Sequence, residues 1–111
     1  MGIQPCCENT IIVDLPAEPA IREQLDMVIQ LVHAGGVGDV IVDFSNVGII
    51  NSLSLSGLLQ LRKALNNTKQ KLILCSVKSM TRKIFDVTCL NSNFEFAEDK
   101  SAALQSIQAG K

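Results

Sequence analysis

"VIVDFSNVGIINSLSLSGLLQLRKAL", Val40 to Leu65, is the stretch on which the architecture of this chain turns. It opens inside "DVIVDF" (Asp39 to Phe44), a short apolar run with no clean alternation. Such a run suits a central strand covered on both faces, as in parallel sheets. It closes on Leu55, Leu58, Leu59, Leu61 and Leu65, an apolar helical face that ends at "NNT". Between them "INSLSLSG", Ile50 to Gly57, alternates polar and apolar residues as a strand with one polar face would. The stretch reads better as a loop-to-helix junction, with Asn51 or Ser52 as N-cap and the alternation falling in the first helical turn. Gly57 so early in a helix costs about 0.5–1 kcal/mol relative to alanine. That cost has a reason where something approaches the helix closely, either the sheet or a partner.

Working outward, "TIIVDL" (Thr10 to Leu15) and "KLILCSV" (Lys71 to Val77) are further strands, and "FEF" (Phe94 to Phe96) a short last one. Ile21, Leu25, Val28 and Val32, widened by Leu31, recur at helical spacing after Pro16 and Pro19. Glu18 and Glu23 stand where the N-terminus of that helix favours negative charge, and Gly35-Gly36 closes it. "SMTRKIFDVTCL" is a third helix, with Ser79 as N-cap and Ile84, Val87 and Leu90 facing inward. "DKSAALQSIQAG" is a terminal helix with Asp99 at its cap and Gly110 at its end. Regular alternation of strand and helix implies an α/β fold, a mainly parallel sheet of about four strands and four helices with right-handed crossovers. Residues 1–9 are assigned to a polar N-terminal tail and 10–109 to one domain.

Composition narrows the function classes. Apolar residues make up 47% and charged ones 19%, which places the chain among globular rather than disordered ones. The net charge of −1 leaves no electrostatic footprint for nucleic acid. No apolar run approaches the ~20 residues that span a bilayer. "MGIQPCCENT" lacks the basic and apolar regions of a signal peptide, and Cys6 stands where a myristoylation signal carries serine or threonine. Cys6, Cys7, Cys75 and Cys89 form no CxxC pair, and the single histidine, His33, is remote from them in sequence. That spacing argues against zinc and fits a reducing cytosol. Neither a metal nor a cofactor is expected, and a cytoplasmic location is.

Catalytic constellations are not recognisable. "GGVGD" (Gly35 to Asp39) has the composition of a phosphate-binding loop, but its glycines follow a helix and precede a strand, the reverse of the order such loops need. His33 falls in the last turn of the first helix, with no nucleophile paired to it. Asp14, Asp39, Asp43 and Asp86 are scattered along the chain, so no paired carboxylates are expected. Lys78, Arg82 and Lys83 form a small basic group that reads as a solvated face.

From "VIVDFSNVGIINS", "LILCSVKSMTRKIFDVTCL" and "FEFAEDKSAAL" together, the chain resembles the STAS domain, the fold of anti-sigma factor antagonists and of the cytosolic tails of sulfate transporters. The likeness runs from about Thr10 to Ile107. In antagonist members the corresponding loop reads "D-S-S-G-L", and its first serine is phosphorylated by a partner kinase that is also the anti-sigma factor. Aligned without gaps, Asn51 takes the aspartate position, Ser52 the phosphorylated serine, Leu53 the second serine and Ser54 the glycine. Cys89 replaces the glycine of a "TGL" motif, and "PAEP" stands where the family has "G-x-L-D". The resemblance implies a non-enzymatic regulatory binding protein in a partner-switching pathway that controls transcription. It implies Ser52 as phosphorylation site, with Ser54 and Ser56 as backups. Ser45, Asn46, Asn51, Leu53, Ser54, Ser56 and Gly57 would form the partner-binding surface, which includes the loop Ser45 to Gly48. The implied partners are a serine kinase/anti-sigma factor and a phosphatase, with the domain a monomer or weak dimer. Two alternatives stand beside this reading. One is a constitutive, non-phosphorylated STAS scaffold; the other is an interaction module that senses a small molecule.

Overall fold

The computed structural model describes residues 2–5, 10–35, 38–88, 90 and 94–109. Cys6, Cys7, Gly36, Cys89 and Gly110 lie outside the described residues. The elements, in chain order, are β1 (Gly2–Pro5), β2 (Ile11–Asp14), α1 (Ile21–His33), β3 (Val40–Asp43), α2 (Ser52–Asn67), β4 (Leu72–Cys75), α3 (Ser79–Val87), β5 (Glu95–Ala97) and α4 (Lys100–Ala109). The sheet order is β1-β2-β3-β4-β5; β2 to β5 are parallel, and β1 is antiparallel to β2. Gly2–Pro5, which the sequence reading assigns to a polar tail, is thus an edge strand, with Ile3 packed on the core margin.

Because strands β2 to β5 run in sequence order, every crossover moves the same way across the sheet. With a common right hand, that puts α1, α2 and α3 on one face. Their apolar sides meet Val13, Val40, Val42 and Leu74 in the larger core, which also holds Leu25, Leu58, Leu61, Leu65 and Phe85. The opposite face would be bare without the last helix. Ile12, Ile41, Ile73 and Cys75 point there and are covered by Ala103 and Ile107 of α4. The unalternating apolar character of "VIV" and "LIL" follows from this double burial.

Helix boundaries differ from the sequence reading in places with physical reasons. Lys78, extended, is the N-cap residue of α3 and makes no side-chain cap bond; Ser79 is already inside the helix. α3 ends at Val87, which is 78% exposed, and the helix turns Thr81 and Phe85 inward instead, one turn apart. Asp99 does cap α4, accepting the Ala102 N–H at 2.8 Å. Glu23 lies in the first turn of α1 as expected, whereas the carboxylate of Glu18 crosses to the start of α2.

Gly57 faces α1. A Cβ there would stand 3.1 Å from both Arg22 Cδ and Leu25 Cδ1, so the close approach that its position calls for is that of a neighbouring helix. Gly57→Ala is expected to leave stability within about 1 kcal/mol of wild type, since the gain in helix propensity offsets the crowding. Gly57→Leu should lose about 1–3 kcal/mol or more by forcing the two helices apart. Urea unfolding of both variants checks the contrast, and equal values would mean that the α1–α2 seam has room to spare.

Candidate functional site

The junction between β3 and α2 is built from alternating anchors and exposed residues. Val47 and Ile50 are buried in the larger core, while Ser45, Asn46, Gly48 and Ile49 face solvent. Asp43, at the end of β3, fixes the first residue of the loop by accepting the Ser45 backbone N–H at 2.7 Å and the Ser45 hydroxyl. From the other side Lys78 Nζ donates to the carbonyls of Ser45 (2.8 Å) and Val47 (3.3 Å), and Thr81 Oγ1 to that of Gly48 (3.4 Å). The start of α3 therefore clamps this loop. Lys78, read as part of a solvated basic face, is committed to it. Arg82 Cζ stands over the Phe96 ring, 3.7 Å from its centroid.

Asn51 is the N-cap of α2, with extended backbone and Oδ1 accepting from the Ser54 N–H at 2.9 Å. In a capping box the residue three positions on carries a carboxylate that returns to the N-cap amide. Here that residue is Ser54, too short to do so, and Glu18 of the β2–α1 loop supplies the carboxylate. Glu18 Oε2 accepts the Asn51 N–H at 2.7 Å and the Ser54 hydroxyl at 2.9 Å. Ser54 is fully buried, and its hydroxyl would be costly without this acceptor. Glu18 Oε1 is buried too and has no hydrogen-bond partner among the described residues. The capping box is thus divided between two segments 33 residues apart.

Ser52 occupies the first helical position, exposed, and its hydroxyl makes no hydrogen bond within the described residues. Its neighbours Ile49 and Leu53 are each 64% exposed, and Met80 on the first turn of α3 is 71% exposed. Large apolar side chains held in water are a common mark of protein interaction sites. Of the residues grouped with Ser52 from sequence, Ser45, Asn46, Asn51, Leu53 and Ser56 are exposed at or near this end of the molecule. Ser54 and Gly57 are buried beneath it, the first under Glu18 and the second under α1. Sequence reasoning gave Glu18 to the N-terminus of the first helix and not to this junction, and it did not place Ile49 or Met80 here. Of the Ile49-Ile50 pair only Ile50 turns inward, and nothing local ties Glu18 to Asn51.

A second cluster corrects the expectation of scattered carboxylates. Parallel register sets Asp14 directly beside Asp43, with Cys75 next along on β4, all on the α4 side of the sheet. Lys100, the first residue of α4, bridges the pair at 2.9 Å from Asp14 Oδ1 and 3.6 Å from Asp43 Oδ2. The hydrogen bond to Asp14 is the main cause that raises the Lys100 pKa. The Lys100 side chain is 42% exposed, so solvent screens the bridge, which ties α4 to the ends of β2 and β3. Burial first, and then the Asp43 charge, push the Cys75 thiol up to about 11. Between pH 9 and 11 the unfolded chain gives up this proton and the folded chain keeps it, so stability falls as pH rises through that window. The Lys100 contribution is lost above its own raised value, in the same direction. Urea unfolding at pH 8 and pH 10.5 should show a drop that is smaller in Cys75→Ala, by about 1–3 kcal/mol. An equal drop in both proteins would mean that the buried thiol does not resist ionisation.

Among the described residues no group of three or more His, Cys, Asp or Glu is placed to hold a metal ion, and no helix is long and apolar enough to cross a membrane. Comparison with curated protein sequences found no match. The STAS domain family matches residues 12–103. Among solved structures, an anti-sigma-factor antagonist (STAS) domain protein from Planctomyces limnophilus superposes with a TM-score of 0.79 at 17% identity, covering 97% of this chain and 99% of that one. The anti-sigma factor antagonist SpoIIAA in its unphosphorylated form gives 0.77 at 14% identity, over 98% and 97% of the two chains. The Bacillus cell fate determinant SpoIIAA in its phosphorylated form gives 0.74 at 17%, over 94% and 96%. At such identities the likeness is one of fold, and it extends over nearly the whole of each chain. With a family match that runs from β2 into α4, the chain belongs to the STAS domain family.

Proposed function

We propose that this STAS domain is a regulatory binding protein of the anti-sigma factor antagonist type, not an enzyme, and that Ser52 is its switch. One observation carries the reading. The Ser52 hydroxyl, without a hydrogen bond among the described residues, stands at the first position of a 16-residue helix, with exposed Leu53 next to it and exposed Ile49 three residues before it in the chain. The partner is a protein serine kinase that also acts as the anti-sigma factor, docking on Ser45, Asn46, Ile49, Asn51, Leu53, Ser56 and Met80. Ser54 and Gly57 support that surface from below. In the switching step the Ser52 oxygen takes the γ-phosphoryl group of ATP, the hydroxyl proton leaves and ADP is released; a phosphatase returns the serine by hydrolysis. A phosphoserine adds about −1.5 to −2 charge at neutral pH. The helix N-terminus accommodates part of that charge, but the apolar contact does not, because there the phosphate is desolvated without a partner. The complex dissociates while the fold stays as it is.

A cytoplasmic site of action accords with this role. A constitutive scaffold is the second reading, favoured by Leu53, whose exposed side chain sits where a kinase must approach Ser52. Incubation with such a kinase and ATP, followed by intact-mass measurement, separates the two. The expected result is one added phosphate in the wild type and none in Ser52→Ala. No mass gain, or a gain that survives in Ser52→Ala, removes Ser52 from the role.

A further inference from the structure

The split capping box has an electrostatic consequence. The free amides of α2 and its dipole together favour about half a unit of negative charge at this end. The Glu18 carboxylate already occupies that position, bonded to the Asn51 amide and the Ser54 hydroxyl. Its second oxygen, buried, has no hydrogen-bond donor among the described residues to spread the charge. Arg22, the guanidinium that lies along the first turns of α2, is engaged by Asp26 (3.0 Å), the Leu53 carbonyl (2.9 Å) and Gln60 Oε1 (3.2 Å). Lys78 is held by the loop carbonyls of Ser45 and Val47. The donor groups of these two cations are therefore engaged within the domain, and Arg22 is already paired with a carboxylate.

From this geometry we infer that Glu18 is a built-in counter-charge that opposes any negative charge placed on Ser52, and so biases the domain towards its uncharged state. A carboxylate bonded to the amide of the preceding residue lies within about 6–8 Å of a charge carried on Ser52, given a Cα spacing of about 3.8 Å. Two like charges at that separation, in a surface environment, repel enough to change an equilibrium by about three- to tenfold. The helix N-terminus that would ordinarily welcome a phosphate is thus pre-filled from within the chain. The regulatory consequence, a lower phosphorylated fraction at a given kinase activity, rests on the partner-switching reading. The electrostatic coupling does not, and it is measured without any partner, so the two can fail separately.

The test is a double-mutant cycle in urea unfolding with wild type, Glu18→Gln, Ser52→Asp and the double variant. Glutamine keeps an acceptor for the Asn51 amide and the Ser54 hydroxyl while removing the charge. Ser52→Asp should lower the folded-to-unfolded ratio about three- to tenfold more in the wild-type background than in Glu18→Gln, and added salt should shrink the difference. Equal effects in the two backgrounds would overturn the proposal. Should Glu18→Gln fail to fold, Ser52→Asp is compared with Ser52→Asn in the wild-type background across a salt series. A charge-specific loss that fades with salt supports the counter-charge, and a difference indifferent to salt rejects it.

Discussion

Phe85→Ala is expected to cost about 3–5 kcal/mol, a large part of the roughly 5–15 kcal/mol that holds a domain of this size together. Phe85 is fully buried and stands at the centre of the chain's four phenylalanines. Its ring meets Phe44, Phe94 and Phe96 edge-on, with centroids 6.4, 5.6 and 5.4 Å away. Truncation removes all three aromatic pairs and leaves a cavity between α3 and the sheet, which the neighbouring rings cannot fill without giving up their own contacts. The melting temperature should fall by more than about 12 °C. Phe85→Leu, which keeps most of the volume, should cost less than half as much, and Val87→Ala on the exposed face about 0.5 kcal/mol or less. Because α3 carries the Lys78 and Thr81 clamps on the loop below Ser52, Phe85→Ala should also weaken partner capture. A loss under about 1 kcal/mol would mean that α3 is held mainly by its polar clamps.

Ser52→Asp is expected to weaken capture of the anti-sigma partner about a hundredfold or more, with a change in domain stability of no more than about 1 kcal/mol. The two numbers differ because the charge meets two environments. In the free domain it faces water, with the start of the helix favouring it and Glu18 opposing it. In the complex it is pressed among Ile49, Leu53 and the partner, where desolvation dominates. Ser52→Ala should bind as the wild type does. Ser56→Asp, one turn further along α2 from the loop Ser45 to Gly48 and also exposed, should have a smaller effect. Titration calorimetry with the four proteins checks the order. If Ser52→Asp binds as tightly as wild type, the site is not a switch and the constitutive scaffold is the better description.

Much of the fold was legible in local pattern. Short β-branched runs and leucines at helical spacing mark the four parallel strands and four helices, because each element's periodicity records which side is covered. The junction at Ile50 to Gly57 was equally readable as a helix start, since a polar cap and an apolar face are both local signals. The misreadings came where local signals compete. At the start of α3, Ser79 is the better capping residue, yet the clamp by Lys78 on the loop carbonyls accompanies a start one residue earlier. Val87 has the spacing of an inward residue, but the cluster of phenylalanines draws Phe85 to the core instead.

What the sequence determined by itself is the α/β order, the parallel sheet and the serine at the mouth of α2, all consequences of propensity and period over a few residues. What only the tertiary structure decided is which distant groups meet. Register set Asp14 beside Asp43, helix packing set Arg22 against Gly57, and the crossing of two loops brought Glu18 onto the amide of Asn51. Each of these pairs is separated by about thirty residues of chain, and no local preference encodes such a meeting. It follows from how the layers stack.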